Sequence, residues 1–269
     1  SGTSNIGANV TTTGAQTYAG AVTLSGGNRT LVASTVNTQS ALAGGNNALT
    51  ITGAADIDGA FTGITNLSIS GTSNIGANIT TSGTQTYTGA VTLSGGDRTL
   101  TGTTINTQST LAGGNNALTI TGAADIDGAF TGITNLSISG TSNIGANITT
   151  SGTQTYAGAV TLSGGDRTLT ATTVNTQSTL SGGTNSLTIA GAADIDGAFT
   201  GITNLSISGT SNIDANITTS GTQTYAGAVT LSGGDRTLTA TTVNTQSTLA
   251  GGTNALTITG AADIDGAFT

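Results

Sequence analysis

One sequence, slightly varied, occurs four times in this chain of 269 residues. Ser1-Gly-Thr-Ser-Asn-Ile returns at Ser70, Ser139 and Ser208, so the chain has a 69-residue period. The least common residue types keep this step without insertion or deletion: Tyr18, Tyr87, Tyr156 and Tyr225; Phe61, Phe130, Phe199 and Phe268; Arg29, Arg98, Arg167 and Arg236. A fixed period indicates a repeat protein, in which each unit packs against its neighbours. We therefore expect one continuous domain, 1–269, made of repeats 1–69, 70–138, 139–207 and 208–269, the last of them truncated.

The differences between repeats distinguish core positions from surface positions. Val10 becomes Ile79 and Val36 becomes Ile105, so apolar positions stay apolar. Other positions gain charge: Gly7 becomes Asp214, and Asn28 becomes Asp97. We expect the first kind of position to lie in a core and the second kind to face water.

The composition favours an ordered β-protein over a disordered chain. The sequence lacks Pro, Cys, Met, Trp, His, Lys and Glu, and only 6% of its residues are charged, against about 25% in an average domain. Disordered chains combine low hydrophobicity with high net charge, but the net charge here is only −8. Leu, Ile and Val alternate with Thr and Ser, which is a strand pattern.

A shorter spacing within the repeat suggests coils of a solenoid. Leu100, Leu118 and Leu136 follow one another at an 18-residue spacing, and the next equivalent, Leu169, comes after a 33-residue interval. The longer interval fits one coil of about 18 residues and one of about 15, which gives about four coils per repeat. Three coils of about 23 residues remain possible on the same sequence.

Alternation predicts which side chains face inward, because successive residues of a strand point to opposite faces. Leu118, Ile120 and Ile126 share one face, and Thr119 and Asp125 belong to the other. The inward set continues with Leu136, Ile138, Ile144, Ile148, Val160, Leu162, Leu169, Val174 and Leu180. Gly-Gly-Asp, Gly-Gly-Thr-Asn and Asp-Gly stretches between the strands are turn sequences.

These observations together predict an all-β fold, a parallel β-helix or β-solenoid, in which each coil stacks on the last at about 4.8 Å. Small inward residues suit a narrow core, and the lack of proline preserves the donors of the hydrogen-bond ladder. With about 17 residues in a coil, the chain would hold about 16 coils.

Three stretches resemble the repeat region of large bacterial filamentous-haemagglutinin-like adhesins. They are Thr-Gln-Thr-Tyr-Ala-Gly-Ala-Val-Thr-Leu (153–162), Gly-Gly-Asp-Arg-Thr-Leu-Thr-Ala-Thr-Thr-Val (164–174) and Ile-Thr-Asn-Leu-Ser-Ile-Ser-Gly-Thr (202–210). The resemblance covers all four repeats. It implies a right-handed helix, export by two-partner secretion and an extracellular location on the bacterial surface or outer membrane.

Asp-Ile-Asp-Gly, at 56–59, 125–128, 194–197 and 263–266, is the most conspicuous candidate site. Two aspartates two residues apart on a strand project together, as they do in some calcium loops. Calcium, however, takes six to eight oxygen ligands, usually including a bidentate acid, and no third acid is near in sequence. We interpret the motif as a solvated, negatively charged edge that discourages aggregation.

Two further motifs have a structural and a ligand-binding interpretation. Asp97-Arg98, repeated at 166–167 and 235–236 and present as Asn28-Arg29 in the first repeat, is expected to be a turn with a local or cross-coil ion pair. Tyr156 and its equivalents could form a stripe that binds sugars. They occur once per repeat, so we favour core or corner packing for them.

Recurrent Thr-x-Thr segments, such as Thr119-Ile-Thr121, Thr153-Gln-Thr155 and Thr168-Leu-Thr170, raise the possibility of an ice-binding face. That use requires Thr-x-Thr on nearly every coil, whereas Ser and Ala often interrupt it here. Without His, Cys, Lys or Glu the chain has no conventional catalytic base or nucleophile pair. We predict no enzyme, and no catalytic, cofactor-binding or metal-binding residue.

The sequence thus predicts a structural segment, a stalk or filament, of an exported bacterial cell-surface or biofilm-matrix adhesin. Its expected partners are further repeats of the same chain or identical chains end to end, and other cell surfaces or matrix glycans. An acidic pI argues against nucleic acid, and no apolar run is long enough to insert in a membrane. Neither end resembles a solenoid cap, so we expect a piece of a longer chain. The alternatives are a ligand-binding face, for glycan or ice, and a self-assembling extracellular fibre.

Overall fold

The computed structural model describes residues 2–269, and within that range it contains strands and turns but no helix. The chain divides into two compact units, Ser1–Thr134 and Asn135–Thr269, and each is described by itself. The strands pair in parallel, as Ser4–Ile6 does with Val22–Leu24. The predicted all-β solenoid is therefore confirmed, with about 14 turns, which is fewer than predicted.

Thirty strands follow one another within residues 2–269. Those that begin before residue 135 are Ser4–Ile6 (β1), Val10–Thr11 (β2), Gln16–Tyr18 (β3), Val22–Leu24 (β4), Arg29–Thr38 (β5), Leu42–Ile57 (β6), Phe61–Ile69 (β7), Ser73–Ile75 (β8), Ile79–Thr81 (β9), Gln85–Tyr87 (β10), Val91–Leu93 (β11), Arg98–Thr107 (β12), Leu111–Ile126 (β13) and Phe130–Ile138 (β14). The others are Ser142–Ile144 (β15), Ile148–Thr150 (β16), Thr153–Tyr156 (β17), Val160–Leu162 (β18), Arg167–Thr176 (β19), Leu180–Ser181 (β20), Leu187–Ile195 (β21), Phe199–Ile202 (β22), Leu205–Ile207 (β23), Ser211–Ile213 (β24), Ile217–Thr219 (β25), Thr222–Tyr225 (β26), Val229–Leu231 (β27), Arg236–Thr245 (β28), Leu249–Ala250 (β29) and Leu256–Ile264 (β30).

In each unit the strands stack in columns whose members follow one another at a spacing of about 19 residues. One column of the first unit contains, in order, Gln16, Val36, Ala55, Ser73, Val91 and Leu111. One column of the second unit contains Ile148, Leu169, Ile189, Ile207, Tyr225, Thr245 and Ile264. Three such columns close one turn of the solenoid, since β1, β2 and β3 are passed before β4 returns to β1.

The 69-residue repeat does not contain a whole number of turns. Ser4 and Ser73 are the same position of successive repeats, yet Ser4 pairs with Val22 while Ser73 follows Ala55 in a different column. Each turn has three faces, and the strands of the first repeat cover eleven faces in succession. The strands β1 to β4 cover one face each, β5 covers two, β6 three and β7 two. The repeat is therefore three and two-thirds turns, which rounds to the predicted four, and equivalent residues move to another face in the next repeat.

The predicted division of the 33-residue interval into an 18-residue coil and a 15-residue coil is wrong. Ile148 pairs with Leu169, a 21-residue step, and Leu100 pairs with Ile120 rather than with Leu118. The alternative of 23-residue coils is excluded by the same registers. Turns differ in length because their bends differ: between Thr101 and Thr104, where the register shifts, β12 has one residue more than the β13 segment that it pairs with.

The core consists of the predicted alternating apolar positions. Every residue of the predicted inward set is at most 2% exposed. The largest fully buried side chains are the phenylalanines of the first three repeats and the tyrosines of the last three: Phe61, Phe130, Phe199, Tyr87, Tyr156 and Tyr225. Residues between the inward positions point outward, such as Thr119 and Thr121, which are exposed.

Candidate functional site

The first aspartate of Asp-Ile-Asp-Gly lies in a polar ladder between turns. Asp56 accepts hydrogen bonds from Asn74 Nδ2 at 2.8 Å and from Asn37 Nδ2 at 3.2 Å, one amide on each side of it along the stack. In the second unit Asp194 accepts from Asn212 Nδ2 at 2.9 Å and from Asn175 Nδ2 at 3.1 Å. Both oxygens of each carboxylate are thus engaged.

This ladder corrects the prediction that both aspartates of the motif form a solvated edge. Asp56 and Asp194 are half-buried, and only the second aspartate, Asp58 or Asp196, is exposed. Burial, and after it the neighbouring carboxylates of Asp194 and Asp214, raise the pKa of Asp196 above its ordinary value. The motif therefore combines a carboxylate that bonds adjacent turns with a carboxylate that meets solvent.

The ion pair of the Asp-Arg motif was predicted to be local or cross-coil, and the local pair between the motif's own two residues does not form. Asp97 Oδ1 accepts from the backbone N–H of Ala117, in the next turn, at 2.8 Å, and Asn28 Oδ1 accepts from Ala48 N at 2.9 Å. Because Asn and Asp present the same acceptor oxygen, either residue serves, which explains their exchange between repeats. Arg98 Nε donates to Ser94 O at 2.9 Å and closes the Gly-Gly turn.

One cross-turn ion pair does occur within residues 2–269, and it involves a position that only the fourth repeat makes acidic. Arg236 Nη2 donates to Asp214 Oδ1 at 2.5 Å. The Asp214 side chain is 38% exposed, so the prediction that it faces water is correct in part. Gly76 occupies the equivalent position of the second repeat.

The tyrosines of the last three repeats are core residues, as favoured from their spacing, and cannot form a sugar-binding stripe. Tyr87 is completely buried, and its hydroxyl donates to Gln85 Oε1 at 2.7 Å. Gln85 Nε2 donates in turn to Thr101 O at 2.8 Å and Ile79 O at 3.2 Å. Burial raises the pKa of Tyr87 far above its ordinary value, so the phenol keeps the proton that it donates.

This glutamine was missed from the sequence, although the signal was present. Gln and Tyr are two residues apart in Gln-x-Tyr, so they share the inward face of a strand. A buried glutamine requires partners for its amide. The bend between two faces supplies them, because the carbonyl of Thr101 lies where the register of β12 shifts.

Hydroxyl side chains, five of threonine and one of serine, form a column on one face of the second unit. Successive outward positions on that face are Thr161, Ser181, Thr200, Thr218, Thr239 and Thr259. The positions two residues earlier form a mixed column, with Ala159, Thr179, Ala198, Asn216, Thr237 and Thr257. The double hydroxyl array that an ice-binding face requires is therefore interrupted.

A shallow groove of about 380 Å³ lies along the Asp194 ladder. It is lined by Thr173, Ala192, Ala193, Asp194, Thr210, Ser211, Asn212 and Thr230. Its charged group, Asp194, already bonds to two amides. No group of three or more acidic side chains able to hold a metal ion occurs among residues 2–269.

The polar residues of the surface therefore serve mainly to join one turn to the next. Corner asparagines do the same as Asp97: Asn66 Oδ1 accepts from Thr84 N at 2.8 Å, and Asn78 Oδ1 accepts from Thr99 N at 2.9 Å. The fold and these contacts define the chain as a parallel β-solenoid protein. Comparison with protein-family models, curated proteins and solved structures finds no match. None of the residues 2–269 belongs to a helix able to span a membrane.

Proposed function

We propose that this chain is a structural repeat segment, a stalk or filament, of an exported bacterial cell-surface or biofilm-matrix adhesin. The observation that carries the proposal is the length of the repeat, three and two-thirds turns. An outward residue such as Asn5 lies on a different face from its equivalent Asn74. What successive repeats share in space is thus the buried core rather than a surface stripe.

The distribution of polar groups supports a non-catalytic role. Asp56 and Asp194 are held between asparagine amides, and Asp97 caps a backbone N–H of the next turn. Acid–base catalysis requires a group free to exchange a proton with a substrate. Asp58 and Asp196 are exposed, but each lies on a corner outside the groove.

Extension is the mechanical consequence of such a repeat. Each added turn bonds to the last through its backbone ladder, for example Leu42 N to Ala60 O at 2.9 Å, and buries the same kind of apolar residues. Identical repeats then add length at constant cross-section, as nearest-neighbour stacking in solenoids allows. The adhesin resemblance of the repeats supports an extracellular location for this stalk.

The experiment is to insert one more 69-residue repeat between the second and third and to measure small-angle X-ray scattering of both proteins. We expect the longest dimension to increase by roughly 18 Å, which is three and two-thirds turns at about 4.8 Å each. The cross-sectional radius of gyration should stay unchanged. An insertion that enlarges the cross-section, or that leaves the longest dimension unaltered, would refute the stalk.

A further inference from the structure

The second and fourth repeats differ at one corner beside the arginine. Gly76 in the second repeat corresponds to Asp214 in the fourth, as Arg98 corresponds to Arg236. Arg236 Nη2 donates to the Asp214 carboxylate at 2.5 Å. Among residues 2–269, Arg98 hydrogen-bonds through Nε alone, to Ser94 O. Its two terminal nitrogens have no acceptor within that range.

The space that the Asp214 carboxylate fills is open in the second repeat. A Cβ atom built on Gly233 would lie 1.5 Å from Asp214 Oδ1, so the carboxylate lies directly over that glycine. On Gly95, the equivalent glycine, the nearest atoms are Arg98 Nη2 at 3.1 Å and Gly76 O at 3.3 Å. The backbones match, with φ of 70° at Gly95 and 64° at Gly233. We call the open space, bounded by Gly76, Gly95 and Arg98, the Arg98 slot.

The rim of the Arg98 slot also contains acceptors. Asp58 Oδ1 lies 3.0 Å, and Ser94 Oγ 3.3 Å, from the point where a Cβ on Gly76 would be. A bare anion bound to Arg98 would meet repulsion from Asp58. A carboxylate with a neighbouring hydroxyl would instead accept from the guanidinium and donate to Asp58, so both charged groups of the slot gain a partner.

We propose that the Arg98 slot binds hydroxylated carboxylates, of which sugar acids are the main class, in the place that the fourth repeat fills with its own Asp214. The Arg167 slot has the same form: Arg167 Nε donates to Ser163 O, and its Nη2 lies 3.1 Å from the Cβ position of Gly164. Arg29 differs because no aspartate borders its slot: the atom near the Cβ position of Gly7 is Ser25 Oγ, at 3.4 Å. The terminal nitrogens of Arg29 donate to the carbonyls of Ser25 and Asn28, as those of Arg236 donate to the carbonyls of Ser232 and Asp235 beside Asp214. The site goes beyond the stalk role and does not depend on it.

The chain contains only four arginines, so the Nε–H signals in an ¹⁵N–¹H spectrum report on each slot separately. The protein is titrated with glucuronate, with acetate and with uncharged methyl glucoside. We expect glucuronate to shift the Arg98 and Arg167 signals saturably, about tenfold more tightly than acetate because of one additional hydrogen bond to a charged group. Methyl glucoside should shift neither signal, and Arg236 should respond to none of the three.

Two substitutions test the proposal in opposite directions, one by filling the Arg98 slot and one by opening the corresponding slot at Arg236. Gly76→Asp should supply the internal carboxylate and abolish the Arg98 response while Arg167 still responds. Asp214→Gly should open the fourth slot and give Arg236 the response that it lacks. Equal affinities for glucuronate and acetate, or an Arg98 shift that persists in Gly76→Asp, would overturn the proposal. If Gly76→Asp does not fold, an unresponsive Arg236 in Asp214→Gly overturns it independently. A failure here leaves the length measurement on the added repeat unaffected.

Discussion

Gly59→Ala should be among the most damaging single substitutions in the first unit. Gly59 forms a corner, and a Cβ there would lie 1.9 Å from Ser40 O and 2.0 Å from Ser40 C of the preceding turn. An ordinary carbon contact needs about 3.5 Å, so the two turns must separate locally by roughly 1.5 Å. The obstacle is backbone, and no side-chain rotation relieves it.

Separating the two turns would break the backbone hydrogen bonds next to the Gly59 corner. Leu42 N donates to Ala60 O at 2.9 Å, and Asp58 N donates to Thr38 O at 2.9 Å. Breaking two such bonds at about 0.5–1.5 kcal/mol each, together with overpacking strain of about 1–3 kcal/mol, predicts a loss of roughly 2–6 kcal/mol in the free energy of unfolding.

Gly14→Ala provides the matched control, because no atom lies within 4 Å of its Cβ position and its φ is not in the left-handed region. Alanine there should be neutral, or stabilising by up to about 1 kcal/mol through a less flexible unfolded chain. Stability is measured by urea unfolding, with amide exchange at Leu42 and Asp58 as the local probe. Equal stability of the two variants, or unchanged exchange at both amides, would contradict the corner packing described above.

Three further substitutions test the polar contacts. Tyr87→Phe leaves the buried Gln85 oxygen without its donor and should cost about 1–3 kcal/mol of unfolding free energy, whereas Tyr18→Phe, at a half-buried tyrosine, should cost less; equal losses in urea unfolding would contradict the buried network. Asp194→Ala removes the acceptor of two amides and should lower the melting temperature, unlike Asp196→Ala. Asp196→Asn should raise the melting temperature at pH 7 but not at pH 3. Because the pKa of Asp196 is raised in the folded protein, its ionised carboxylate destabilises the folded state at pH 7. This penalty disappears as pH falls below the carboxyl pKa of the unfolded chain, about 3.9. An equal stabilisation at both pH values would contradict this reasoning.

The core could be predicted from the sequence because alternation has a short range. Leu118, Ile120 and Ile126 are separated by even numbers of residues, and such residues share a face of a strand. Register between turns has no comparable local signal. Leu100 precedes Leu118 by the common spacing of 18 but pairs with Ile120. The step from Leu100 to Ile120 is therefore longer than the spacing of 18, and the additional residues lie in two bends. One bend is at the register shift after Thr101. The other is at the Gly-Gly-Asn-Asn corner, whose equivalent in the first repeat also shifts the register.

The polar contacts were harder to predict than the core, because they join residues of different turns. Asp56 and Asn74 are 18 residues apart, but Asp56 and Asn37 are 19 apart. When the pairing between turns is unknown, the sequence Asp-Ile-Asp-Gly indicates two outward carboxylates and gives no reason to distinguish them. The register shows that the first aspartate lies between two asparagines, whereas the second lies at a corner where the chain turns away.

The length of the repeat connects these observations to function. Had one repeat made a whole number of turns, Arg29 and Arg98 would lie in one column, and a ligand that runs along the stack could contact both. Leu31 and Leu100, two residues after these arginines, instead belong to different columns, since Leu31 follows Val10 and Leu100 follows Ile79. An elongated ligand on one face of the first unit therefore contacts only one of these two arginines. Because the slots then act as independent sites rather than as one multivalent site, we expect glucuronate to titrate the Arg98 and Arg167 signals with the same affinity, each without influence on the other.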